Sequence, residues 1–350
     1  MRICKKIIAM LLALMLVISI PFTASAVSME NGLDELKAQF VFGEGPVVGD
    51  YSVDYRYFSP VKANDTTKYP LVVWLHGMGD GAEDGTQIKK SEIAYWASDE
   101  FQARFDPAGG AFILAARSRE ENGKFWDNDM LEPLRAAIDE FIAENKANID
   151  TTRIYIGGYS MGGKMTLKMS VAYPEMFAAA FPICPAWAVP SEYVELLADL
   201  PLWITSSRRD PLVNYYLNVT PTWQRLMTAS NVAESCRLST LTKVCYADGT
   251  KCGSAHHAWF SVNYDMFTTE NGDYHNMTTV NGVGESVTLT YPDGMISWLS
   301  QFTSDYDGTP CEGKGNLEGK RNTDGILYFD GIIDFFKTLT NAILGVLRIK

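Results

Sequence analysis

Ile154-Tyr155-Ile156-Gly157-Gly158-Tyr159-Ser160-Met161-Gly162-Gly163 is the stretch whose reading decides the fold. A short apolar run ends there in G-x-S-x-G and continues into a helix-compatible segment, the pattern of a sharp strand-to-helix turn. Small residues at Gly158 and Gly162 let the backbone fold back, so that the Ser160 hydroxyl projects clear of it as a candidate nucleophile. Downstream, Met165, Met169 and Ala172 are spaced for one buried helix face, and Pro174 ends the helix. The same five letters also occur in ordinary glycine-rich loops; the strand before and the helix after distinguish this one.

A serine is a poor nucleophile unless a base takes its proton, an acid orients the base and donors receive the oxyanion. Residues 71–75, Leu-Val-Val-Trp-Leu, form a continuous apolar run, as expected of a strand buried on both faces, and end in His76-Gly77-Met78-Gly79-Asp80-Gly81. The Met78 N–H in this loop and the Met161 N–H after the serine are the expected oxyanion donors, while the His76 side chain is expected to hydrogen-bond within its loop. A second buried strand is expected at 200–205, and Asp210 follows it in a loop. An isolated Asp-Pro is by default a turn or cap residue, but a position between Ser160 and the later histidines makes Asp210 the candidate acid. Chain order leaves His256, His257 and His275 as candidate bases. His256-His257-Ala258-Trp259 follows a glycine-containing turn, whereas His275 lies in a polar stretch that reads as an exposed insertion.

With these pieces in order the chain resembles the α/β-hydrolase superfamily, and more narrowly the secreted esterases grouped with feruloyl esterases and polyhydroxybutyrate depolymerases. Beyond the serine turn, the resemblance rests on Tyr69-Pro70-Leu71 leading into Leu75-His76-Gly77, Ile149-Asp150 before Arg153-Ile154-Tyr155, Pro174-Glu175-Met176-Phe177-Ala178, and Trp298-Leu299. It implies an α/β-hydrolase fold, a mostly parallel central sheet with helices on both faces. It also implies that the base stands in a G-H-x-x-W pattern, which Ala255-His256-His257-Ala258-Trp259 matches with His256 at the histidine position. Ala255 replaces the usual glycine, and the long segment 260–293 intervenes before the closing helix at 295–299, where it could lid the pocket or build a substrate surface. Trp126, Trp187 and Trp259, in or beside loops at strand ends, are candidates to stack on a phenolic or sugar ring, with packed core edges as the alternative.

The ends of the chain read differently. Residues 1–26 carry Arg2, Lys5 and Lys6, an apolar run and Ala24-Ser25-Ala26, the pattern of a signal peptide, so a secreted or cell-surface protein is expected. Losing it takes the formal charge from −12 to −15, which gives no electrostatic reason to bind nucleic acid. It also leaves Cys184, Cys236, Cys245, Cys252 and Cys311; Cys236, Cys245 and Cys252 are close enough in sequence for one disulfide bracing the segment before His256. Residues 27–302 read as a single catalytic domain. Residues 303–325 read as a polar linker, and 326–350 as an amphipathic C-terminal helix that either docks on the domain or contacts a membrane surface or partner. The whole reads as a serine carboxylic-ester hydrolase that needs no metal or organic cofactor and takes a small-molecule or polymer-linked ester. A peptidase related to the prolyl oligopeptidases and a non-catalytic binding protein on the same fold are the alternatives.

Overall fold

A computed structural model of the chain describes residues 32–89, 92–118, 126–229, 232, 234–246, 250–265, 277–289, 294–311, 313 and 317. The expected signal segment, His275 and the amphipathic stretch 326–350 lie outside these residues. Among the described residues ten strands form one sheet: β1 (Val41–Glu44), β2 (Asp54–Phe58), β3 (Tyr69–Leu75), β4 (Phe112–Arg117), β5 (Ile149–Tyr159), β6 (Ala179–Ile183), β7 (Trp203–Ser207), β8 (Arg237–Leu241), β9 (Met277–Asn281) and β10 (Ser286–Val287). Their order is β1-β2-β4-β3-β5-β6-β7-β8-β9-β10. The six strands from β4 across to β8 are mutually parallel, and antiparallel strands flank them at both edges.

The central strands are apolar throughout because both faces are covered. All seven residues of β3 are buried, as are all five of β6 and of β7. The helices are α1 (Leu33–Lys37), α2 (Thr86–Lys89), α3 (Asp99–Gln102), α4 (Leu131–Glu144), α5 (Met161–Ala172), α6 (Ser191–Ala198), α7 (Tyr215–Leu226), α8 (Trp259–Asn263) and α9 (Met295–Leu299). In α4 the buried Leu134, Ala137, Ile138 and Phe141 recur at helical spacing, and Phe141 meets the edge of Tyr55 on β2. Helix α5 departs from the sequence expectation of one buried face: every one of its residues is buried, Lys164 and Lys168 included. It is sandwiched between β5, β6 and its neighbours α4 and α6, so its polar side chains must find internal partners.

Because β3 lies between β4 and β5, the chain leaves β3 toward one side of the sheet and returns on the other. This strand-order reversal is where open α/β sheets place their ligands, beyond the carboxyl ends of the strands. The loop after β3 and the turn after β5 therefore face one crevice.

Two expectations are corrected. No disulfide forms among the described residues. Cys236 points its Sγ at the Leu200 carbonyl, 3.5 Å away, and Cys252 sits 3.2 Å from His257 Nδ1. Cys245 is bridged to Lys251 across a short antiparallel turn, so Cys252, one residue on, has the opposite facing. Nor is the stretch from Thr303 a free linker over its described part. Ser304 N–H donates to Thr152 O at 2.8 Å, and Tyr306 and Leu317 are buried in the hydrophobic core. Its polar composition hid two apolar anchors spaced too far apart to show periodicity. Of the insertion 260–293, the described parts are most of α8 and two strands that extend the sheet: β9 pairs with β8, and β10 with β9. Its two ends are pinned together, Asp265 accepting the Ile296 N–H at 2.8 Å and pairing with Arg104 at 2.7 Å.

Candidate active site

Ser160 sits between the last residue of β5 and the first of α5 with φ 58° and ψ −114°, a backbone conformation that costs a side-chain-bearing residue about 1–3 kcal/mol. The turn is held from three directions. Ser160 N–H donates to Ile183 O at the end of β6, and its carbonyl accepts from Lys164 N–H and Ala186 N–H. The flanking glycines are required by the approach of β3: a Cβ on Gly158 would lie 2.4 Å from Leu75 O, and one on Gly162 2.1 Å from the same atom. The serine itself is buried, at 3% exposure.

Asp210 and His256 are brought together from loops 46 residues apart, with Asp210 Oδ2 accepting from His256 Nδ1 at 2.7 Å. The other oxygen, Oδ1, accepts Leu212 N–H at 2.8 Å and Val213 N–H at 2.9 Å. One oxygen of Asp210 thus serves its own turn, and the other faces the histidine. Holding the proton on Nδ1 leaves Nε2 of the neutral imidazole as an acceptor, the tautomer a base needs. His256 is steadied by its own N–H on Ser254 Oγ at 3.2 Å and by the edge of Trp259. His257 faces the other way, toward the Cys252 thiol, and burial together with neighbouring His256 lowers its pKa.

The loop after β3 is tied down by side chains. His76 is buried, donates from Nδ1 to Gly77 O at 2.6 Å and accepts Ser118 N–H on Nε2 at 3.1 Å. Burial lowers its pKa to about 4, so the ring is neutral and structural, as the sequence suggested. Trp126 Nε1 donates to His76 O at 3.0 Å, and the Tyr159 hydroxyl donates to Asp80 Oδ2. Met78 lies half-buried in this loop, and Met161 opens α5, where the first amides have no acceptor within the helix.

The three candidate stacking tryptophans are corrected: each is at least 93% buried by protein contacts. Trp126 packs on the His76 ring, Trp187 lies under the Lys168 ammonium, and Trp259 covers Tyr159 with ring centroids 4.1 Å apart. They build the walls that hold the site's loops.

Several residues of this neighbourhood were not singled out from sequence. Tyr159 and Asp80 were read only as spacers in their motifs, and Cys184 only as one of five cysteines. Lys164 reaches Asp127 at 2.7 Å and Lys168 reaches Asn128 Oδ1 at 2.5 Å; burial and adjacent Lys164 bring the Lys168 pKa down to about 7. Two lysines four apart in an otherwise apolar helix were the available signal.

Residues 118–244, a little over a third of the chain, match the phospholipase/carboxylesterase family of α/β-hydrolases. That segment includes Ser160 and Asp210. Among solved structures, a thermostable esterase is 24% identical, with 77% of this chain and 64% of that one covered and a TM-score of 0.56. A thermophilic esterase from the planctomycete Thermogutta terrifontis is 16% identical over 59% of this chain and 82% of its own, with a TM-score of 0.44. Dipeptidyl aminopeptidase A of Saccharomyces cerevisiae is 27% identical over 161 residues, 43% of this chain and 16% of that protein. The chain thus spans under two thirds of the thermostable esterase and about a sixth of the yeast peptidase. Strand order, strained serine turn and likeness to the thermostable esterase agree: this chain has the α/β-hydrolase fold.

Proposed function

We propose that this protein is a serine carboxylic-ester hydrolase working through an acyl-enzyme. Ser160 attacks the ester carbonyl while His256 Nε2 takes its proton and returns it to the leaving alcohol; Asp210 holds the tautomer, and the Met78 and Met161 amides receive the oxyanion. Water then repeats the sequence on the acyl-enzyme. The observation that carries this reading is the Asp210–His256 hydrogen bond at 2.7 Å, on the same sheet edge as a serine in strained backbone. Similarity to the thermostable esterase supports the ester bond, and the reading takes in small-molecule esters together with polysaccharide-linked and hydroxyalkanoate ones. The reading includes export, on the strength of residues 1–26, and contact with a membrane surface or cell envelope through 326–350. Among the described residues no helix is long and apolar enough to cross a membrane.

The similarity to dipeptidyl aminopeptidase A favours a second reading, a peptidase using the same residues. Fluorophosphonate labelling followed by peptide mapping tests the shared part: label on Ser160 is expected, and an unlabelled protein means a non-catalytic binding protein. Rates on aryl, acetyl-sugar and hydroxyalkanoate esters against aminoacyl anilides then separate the two enzymes. Hydrolysis of anilides faster than of every ester overturns the esterase.

A further inference from the structure

One buried nucleophilic group stands beside the triad and takes no part in the chemistry above. Cys184 follows β6 with φ 35°, is fully buried, and donates from Sγ to the His256 carbonyl at 3.5 Å. Its backbone is fixed by an N–H···O bond to Thr205 at 2.7 Å, so the thiol is held where it is. The sulfur, a carboxylate oxygen of Asp210 and a ring nitrogen of His256 all lie within 4.8 Å of one another. Thiolate, imidazole and carboxylate are the donors that bind zinc, and in a tetrahedral site they stand roughly 3.3–3.6 Å apart. The Asp210–His256 pair, 2.7 Å apart, would open by about half an ångström, and the sulfur, within 4.8 Å of both, would close by at most about 1.5 Å.

We infer that Cys184, Asp210 and His256 form an inhibitory site for a thiophilic divalent cation such as Zn²⁺. The proton balance explains the inhibition. Binding displaces the thiol proton to solvent and takes the lone pair of His256 Nδ1, so the ring proton moves from Nδ1 to Nε2. An Nε2 that carries a proton cannot accept one from Ser160. The metal therefore silences the base by inverting its tautomer while leaving the serine turn intact. The inhibition rests on the serine-hydrolase reading; the binding does not.

The test titrates the full chain with Zn²⁺ against a chromophoric chelator and, in parallel, follows hydrolysis of an aryl ester. One equivalent is expected to bind with release of about one proton, and hydrolysis to fall at the same free Zn²⁺ and return on adding EDTA. Cys184→Ala, and Cys184→Ser, which keeps the side-chain volume, should hydrolyse the ester within about twofold of wild type. Both should shift the Zn²⁺ midpoint upward by at least about tenfold, since loss of even an outer partner costs a metal site that much. His257→Ala should leave the midpoint unchanged, which separates this site from the Cys252–His257 pair. An unchanged midpoint in both Cys184 variants, or stoichiometric Zn²⁺ with full hydrolysis, overturns the inference. A protein that hydrolyses nothing yet still binds Zn²⁺ through Cys184 overturns the esterase and spares the metal site.

Discussion

At the scale of single residues, the site makes separable demands on its histidines. Ser160→Ala should lose on the order of 10⁵–10⁶-fold in turnover with the fold intact, and His256→Ala should lose about as much, because triad members act as a unit. His257→Ala, which removes a partner of Cys252 and a ring packed on Trp259 and Phe260, should change turnover by a few fold; steady-state kinetics on one aryl ester checks all three. A dead His257 variant would mean that the base was assigned one residue out. His76 makes a different prediction, about stability. Its folded pKa of about 4 lies below its ordinary 6.5, so the unfolded chain binds the proton first as pH falls. Its contribution is complete above pH 6.5 and is lost progressively down to pH 4, a total of about 3 kcal/mol. Asp265, whose pKa burial raises to about 6, slopes the other way between 3.8 and 6, since there the folded state holds the extra proton. The wild-type curve alone is therefore flattened. The difference between wild type and His76→Gln, from urea unfolding at each pH, isolates the histidine and should shrink between pH 6.5 and 4. A difference that stays constant over that range would mean that the ring is not buried neutral.

At the scale of elements, what holds the reacting groups is the pressure of β3 against the serine turn. Gly162→Ala puts a methyl carbon against the Leu75 carbonyl, a backbone atom that cannot swing aside, so β3 and the loop after it must shift together. Overpacking of this kind costs about 1–3 kcal/mol. Here it should also lower kcat more than it raises KM, because the loop carries the expected Met78 amide; equal changes in the two would place the damage in binding alone. This also explains which parts of the site could be read from the sequence. Ser160 and Asp210 were picked out because each follows a strand and their chain order is constrained, His256 through the G-H-x-x-W pattern that the resemblance implies, and the glycines because close backbone approach leaves no other choice. The Tyr159–Asp80 bond, the Cys184 thiol and the lysine pairs of α5 were not. Their partners are 79 residues apart for Tyr159 and 40 for Lys168, and come together only because β3, β4, β5 and β6 end at one edge. The tryptophans misled for a related reason: an aromatic residue near a strand end lines a pocket or braces a loop according to contacts that sequence distance does not reveal.

At the scale of the whole molecule, the question is where the catalytic body ends. The chain after Phe302 runs from the start of β5, where Ser304 meets Thr152, past α4, where the Tyr306 hydroxyl reaches Asp139 at 3.3 Å. It reaches the loop before α4, where Asn128 donates to the Leu317 carbonyl at 2.5 Å. Thr152 lies at the end of the sheet away from Ser160. Asn128 lies two residues from Trp126, which braces the loop carrying His76. The segment therefore crosses the body from its far edge to its catalytic edge, and two apolar side chains sink into the core on the way. Burying a large apolar side chain contributes about 2 kcal/mol, so a chain ending at residue 302 should unfold with roughly 4 kcal/mol less stability than the full protein. A chain ending at residue 325 keeps both anchors and should melt as the full protein does and hydrolyse a small soluble ester at the same rate. What it should lose is sedimentation with anionic or neutral lipid vesicles, because the amphipathic spacing of Ile332, Ile333, Phe335, Phe336, Ile343, Val346 and Leu347 is then gone. Equal stability of the two truncations would remove the strap from the catalytic body. A 325-residue chain that aggregates or melts early would show that 326–350 covers the hydrolase itself, and the membrane-contact reading would fall with it.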